Sequence, residues 1–362
     1  MDLIDFLKTP TATLPKDRPS GSDFPEYLRS IFESFIAELR TVSGTDQLTL
    51  EVSKNIPVIQ SLADMILESV RKYYEGLPHD AFVIMRNWIL ANASQFGALY
   101  SVPIPASYLS RLYRIRVPDS GDFTRQQMFH IPFQDRHKVK TQRYSIPGYP
   151  SLYTGSSLYI CWKELGCPQF DSVYSVRLEA KANIRVLDFG YIPSELSKTV
   201  LLQIQSGTQN QQLLKVLLPK IIFWPLIAAC SIRTLYPKAP FKPEYIMPQL
   251  LLQYVKEDLQ QGIDGIRYFS THYDQLDYSL TLGCNFVFPV KSFAPRGQCP
   301  HLINLFNMTE VLPWQIANHI SMPSIGAPSV PIELVRGCAC DYINTIFGDM
   351  EGKSMPMIAS AL

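Results

Sequence analysis

The first hundred residues carry a helical pattern of apolar positions. Leu28, Ile31, Phe32, Phe35, Ile36 and Leu39 recur at i, i+3, i+4 and i+7, the spacing that lines one face of an α-helix. Asp23 and Glu26 precede this stripe as a D-x-x-E pair, which predicts a capped start, because an N-cap carboxylate takes an orphan N–H of the first turn. Ile59, Leu62, Ile66, Val70 and Tyr73 predict a second helix over 56–74, and a third is expected over about 80–92. Residues 8–22, KTPTATLPKDRPSGS, read as a polar, proline-rich lead-in. Residues 1–105 are therefore expected to be an α-helical unit whose stripes form its core.

After Pro103 and Pro105 the period shortens toward two. LYRIRV (112–117) alternates as a strand does, and SLYTG (151–155), SVYSVRLEA (172–180), IRVLDFG (184–190), DGIRYFS (264–270) and NFVFPV (285–290) read as further strands. An insertion at 192–240 and a helix over 245–260, with Leu250, Leu251, Tyr254, Val255 and Leu259 on it, lie between them. The expected class is α+β with a mainly antiparallel sheet at 106–300. Residues 301–362 read as a loop-rich extension, and SMPSIGAPSVP (321–331) as a linker or surface strap.

Composition narrows the function classes. With 33 basic and 32 acidic residues the net charge is +1, which gives no electrostatic case for nucleic acid or an anionic membrane. The apolar stretch 213–232 contains Lys215, Pro219, Lys220 and Pro225, and its charge-free run, 221–232, is short of the roughly 20 residues a spanning helix needs. It reads as a buried helical hairpin. Seven cysteines, irregularly spaced, fit a reduced thiol set and a cytoplasmic protein. The sequence has no P-loop, no G-x-G-x-x-G after a strand, no G-x-S-x-G and no H-E-x-x-H. Cys338-x-Cys340 lacks a second ligand pair, and His130 and His137 are expected to be solvated, so no metal is expected.

One stretch carries denser chemistry. RYSIPGYPSLYTGSSLYICWKEL (143–165) spaces Arg143, Tyr153 and Glu164 as R-x9-Y-x10-E. Ser156 or Ser157 can cap a helix with Leu158, Cys161, Trp162 and Leu165 on its apolar face. Glu164 falls off the centre of that face and can point to solvent, and Tyr153 alone reads as readily as a core tyrosine.

These segments resemble the RES family, NAD-consuming proteins with the core of diphtheria-toxin-like ADP-ribosyltransferases. The likeness rests on LYRIRV, on 140–165 and on YIMPQLLLQYVKEDLQQGIDGIRYFS (245–270), and spans about half the chain. It supplies Arg114 after the first strand, then Arg143, Tyr153 and Glu164, then Ser270 behind Gly265, Ile266 and Tyr268. It implies an enzyme that cleaves the nicotinamide–ribose bond of NAD. Glu164 would stabilise the oxocarbenium-like ribose. Tyr153 would stack on the cationic nicotinamide. Arg114 and Arg143, with Arg116 in reserve, would hold the pyrophosphate. Ser270 would donate to a phosphate. Arg136, Lys138 and Lys140 can guide an anion or simply form an exposed basic loop. The acceptor of ADP-ribose can be phosphate, water or a macromolecule, and a non-enzymatic protein with a degenerate nucleotide pocket is a further alternative. Compact family members are toxins paired with a helical antitoxin. The extra segments of this chain suit an antitoxin contact, self-association or control of access.

Overall fold

A computed structural model of the chain describes residues 1–99, 111–119, 121–190, 193, 196–198, 211–258, 262–272, 283–315, 330–335 and 338–362. Leu259 and most of 321–331 lie outside them. The chain divides into two compact units, and they cut across its linear order. The first combines residues 1–101 with 142–145 and 187–254, and the second combines 102–141, 146–186 and 255–362. The expected insertion thus clusters with the N-terminal helices, and residues 301–362 cluster with the strands.

The first unit begins with α1 (Leu3–Lys8), α2 (Phe24–Leu39), α3 (Gln47–Lys54), α4 (Ile56–Tyr74), α5 (Pro78–Ala91) and α6 (Ala93–Gly97). Asp23 caps α2 by accepting the Glu26 N–H at 3.2 Å. Leu28, Phe32, Phe35, Ile36 and Leu39 are buried along α2, as are Ile59, Leu62, Ile66 and Val70 along α4, whereas Ile31 and Tyr73 are half-buried. The lead-in is less peripheral than its composition suggests. Ala12 and Leu14 are buried, and the Ala12 carbonyl accepts the Trp224 indole N–H at 2.7 Å.

In the second unit β1 (Leu112–Arg116) is followed by α7 (Arg125–Met128), β2 (Ser151–Gly155), α8 (Leu158–Glu164) and β3 (Tyr174–Ala180). The strand β4 (Val186–Phe189) starts at the last residue of this stretch. The chain then returns to the first unit through α9 (Gln211–Ile222) and α10 (Trp224–Ser231). These two form a pair bent by 61° at Phe223, not the hairpin expected from sequence. Pro219 lies inside α9 and Pro225 in the first turn of α10, and a bend at such a place follows from the lost N–H groups. Every residue of α10 is buried. Among the described residues no single helix is long and apolar enough to cross a membrane; the bent pair passes that test only when taken together.

The remaining elements are α11 (Ile246–Glu257), β5 (Gly265–Phe269), β6 (Cys284–Pro289), α12 (Pro300–Leu305), β7 (Phe306–Met308), β8 (Leu312–Pro313), β9 (Pro331–Val335), β10 (Cys338–Asp341) and α13 (Ile346–Ser354). The sheet of the second unit runs β5-β6-β2-β1-β3-β7, and β8 also pairs with β3. The pairs β1–β2, β1–β3, β2–β6, β5–β6, β3–β7 and β3–β8 are antiparallel. The fold is α+β. One core packs Leu112, Leu152, Val176, Leu178, Phe286 and Phe288. Tyr113 and Ile115, alternate to Leu112 and hence on the other face of β1, join Leu158, Tyr159, Ile160 and Phe347 in a second core.

Candidate active site

The site is built on the short helix α8. Ser157 starts it, with its hydroxyl accepting the Ile160 N–H at 3.1 Å. Ser156 is used differently: its Oγ accepts the Cys284 N–H at 3.1 Å and its own N–H donates to the Cys284 carbonyl, which ties the turn to the start of β6. Leu158, Tyr159, Ile160 and Cys161 are buried, while Leu165, expected on the apolar face, follows the end of the helix and is exposed. The helix rests directly on β2. A Cβ at Gly155 would meet Cys161 Sγ and Ile160 Cγ2 at 2.6 Å each, so only glycine allows this approach.

Glu164 is the last residue of α8. Its Oε1 accepts two hydrogen bonds, from Ser270 Oγ at 2.6 Å and from Asn285 Nδ2 at 2.8 Å. Both donors are buried. Oε2 lies 3.9 Å from His272 Nε2, and the Glu164 side chain is 32% exposed, so a ligand can reach it. Ser270 follows β5, and its Oγ also accepts the His272 N–H at 3.1 Å. Asn285 on β6 stands opposite Gly155 of β2 on one side and Tyr268 of β5 on the other. A carboxylate with one oxygen fixed by two donors and the other turned toward an imidazole and solvent is suited to meeting a developing cation.

Arg114 and Tyr153 are also brought together. Strands β1 and β2 pair only at Tyr113 and Gly155, and Arg114 Nη1 donates to the Tyr153 carbonyl at 2.8 Å. Arg114 Nε is buried without a protein partner. Burial, with some help from Arg116, presses the Arg114 guanidinium down to about 10, which still leaves it charged at neutral pH. Burial raises the Tyr153 phenol well above its ordinary range, so it is a neutral ring with a hydroxyl. The Cys161 thiol is pushed up to about 12 by burial, against Arg114 and with small contributions from Glu164 and Glu351.

Other expected residues have partners of their own. Arg143 belongs to the first unit, where Nη1 donates to the Cys230 carbonyl at 3.2 Å and the guanidinium lies 5.2 Å from the Tyr245 ring centre. Arg116 donates to the Gln127 carbonyl and covers the Phe123 ring, and Arg136 covers Phe293. Lys138 lies 3.6 Å from Asp135, and Lys140 is exposed. His130 is fully buried, contrary to the expectation of a solvated loop residue. Among the described residues no group of three or more His, Cys, Asp or Glu side chains is arranged to hold a metal ion. Asn285 was not anticipated: an isolated asparagine at a strand start gives no signal until the strand register sets it beside Ser270 and Glu164.

No family model and no solved structure matches the chain. Among curated proteins, "Putative toxin YopC" of Bacillus subtilis (strain 168) is 30% identical over 353 residues, an alignment covering 93% of this chain and 77% of that protein. Identity at that level over nearly the whole sequence, site and flanking helices together, means that the chain belongs to the family of the Bacillus subtilis "Putative toxin YopC".

Proposed function

We propose that this protein is a toxin that cleaves the nicotinamide–ribose bond of NAD and passes ADP-ribose to phosphate or water. The observation that carries the reading is Glu164, held by Ser270 and Asn285 with its second oxygen open. The RES-like spacing that singled out Glu164 and Ser270 supports it, and so does the relative's name for the toxin role. In this reading the C1–N bond breaks and its electron pair leaves with nicotinamide as a neutral pyridine. The ribose C1 becomes cationic beside Glu164, then bonds to an oxygen of phosphate or water, whose proton passes to solvent. Tyr153 offers its ring to the nicotinamide, and Arg114 offers a buried cation to the pyrophosphate. Ser270 orients Glu164, a role added to the phosphate contact that the resemblance implies.

The test is to incubate the protein with NAD, with and without phosphate, and to follow nicotinamide release and the fate of ADP-ribose. Release without any macromolecule is expected, and Glu164→Gln should keep the fold and lose about a hundredfold in rate, roughly 3 kcal/mol of charge stabilisation. Label moving onto a protein would assign the chain to the macromolecular transferases instead. A folded protein that releases no nicotinamide overturns the reading.

A further inference from the structure

The helix that carries Glu164 is held at its other end by a residue far along the chain. Leu158, the first residue of α8, donates its N–H to Glu351 Oε1 at 2.8 Å across a separation of 193 positions. This N–H is one of the orphan donors of a helix start, and Ser157 serves a different one. The Tyr342 hydroxyl donates to the same Glu351 oxygen at 2.5 Å. Glu351 is 4% exposed. An apolar residue there would leave both buried donors without an acceptor.

The packing around the contact points the same way. Phe347, one turn before Glu351 on α13, packs its ring against Tyr159 at 5.1 Å and Trp162 at 5.4 Å, both on α8. Gly348 lets α13 close onto the turn 342–344, since a Cβ there would meet the Tyr342 carbonyl oxygen at 2.5 Å. That close approach sets the Tyr342 hydroxyl beside Glu351. Tyr113 of β1, Arg111 and Cys161 are the other titratable groups that feel the Glu351 charge.

We propose that Glu351 is a positioning residue: it pins the first turn of α8 and thereby fixes Glu164 at the opposite end of the same helix. The inference rests on the reading of Glu164 as the reacting carboxylate. A helix of seven residues is about 10 Å long and moves as one rod, so a shift at Leu158 reaches Glu164 undiminished. Displacement of a reacting group by about 1 Å is enough to cost on the order of a hundredfold in rate.

Two readouts test it. Hydrogen exchange of the α8 amides should rise about tenfold or more in Glu351→Ala, with α2 and α4 unchanged, and return near wild type in Glu351→Gln, which keeps the accepting oxygen. With NAD, Glu351→Ala should lower kcat about tenfold or more while KM stays within about twofold, and Glu351→Gln should recover kcat. Should Glu351→Ala not fold, Tyr342→Phe removes the hydroxyl that orients the carboxylate, and a smaller rise in α8 exchange is expected there. Unchanged α8 exchange in whichever of these two variants folds overturns the proposal, as does unchanged kcat alongside loosened α8 amides. Loosened α8 amides in a protein whose wild type releases no nicotinamide would instead overturn the NAD reading and leave the mechanical link intact.

Discussion

At the scale of single residues, His130 shows what the complete pairing of one buried polar group implies for pH. Cys299 donates its N–H to His130 Nε2 at 2.7 Å, so Nε2 is unprotonated, and Nδ1–H then donates to the Ile131 carbonyl at 2.8 Å. Burial presses the ring down to about 4, and the Arg114 charge adds to the effect. Unfolded, the same histidine titrates near 6.5. Between about 6.5 and 4 the unfolded chain binds a proton that the folded chain refuses, so stability falls as pH drops through that window, by up to about 3 kcal/mol. Urea midpoints at pH 4.5 and 6.5 should therefore differ by less in His130→Gln than in wild type. Equal differences would remove His130 as the source. Glu351, pushed up to about 7 by burial, acts in the opposite direction: the folded state keeps its proton and loses relative stability as pH rises from about 4.5 through 7. Glu164 and Ser270 were singled out by the resemblance to the RES family, whose spaced pattern survives in one dimension, whereas the residue types alone left Glu164 free to point to solvent. Asn285 and Glu351 were not legible. Each acquires meaning only when pairing across more than a hundred positions brings it to α8.

At the scale of elements, alternation and the helical stripe located the longer pieces well. The stretch predicted over 56–74 is α4, which buries one well-marked face, and 151–155 is β2, a short strand bounded by turn residues and buried on both faces. The elements α1 and α3 escaped notice because each has only a turn or two of apolar positions, and β7 and β8 because strands of three and two residues cannot show an alternation. That Arg143 belongs to the first unit was not legible for a related reason. Residues 142–145 close on themselves, with Ser145 Oγ accepting the Gln142 N–H at 3.0 Å, and Gln249 Nε2 holds the Gln142 carbonyl at 3.2 Å. Spacing alone cannot show that a four-residue turn joins the helical unit. The seat of α8 on β2 yields an element-level prediction. Gly155→Ala forces a methyl into Cys161 and Ile160, an overpacking worth about 1–3 kcal/mol. The urea midpoint should fall accordingly and nicotinamide release with it. A midpoint equal to wild type would mean that α8 does not rest on β2.

At the scale of the whole molecule, the last residues of the second unit are held by two arginines, of which Arg177 is buried. Arg177, 3% exposed, donates to the carbonyls of Ser354, Met355 and Met357 and pairs with Glu179. Arg125 donates to the carbonyls of Met308, Ser360 and Ala361, and Ser360 and Met308 exchange both backbone hydrogen bonds. A chain stopped after Thr345 loses α13, with Phe347 and Met350 of the second core, and the three carbonyls that Arg177 holds. The amides of β1 and β3 in that chain should exchange as fast as those of an unfolded one; native protection there would show the segment to be dispensable. The separation of 193 positions between α8 and its anchor also has a meaning in time. At about 5–20 residues per second, a ribosome needs about 10–40 s to travel from one to the other. Throughout that interval the nascent chain already carries Glu164 yet lacks the carboxylate that accepts the Leu158 N–H. In the proposed reading, the reacting carboxylate is therefore seated only after synthesis has passed the distant one.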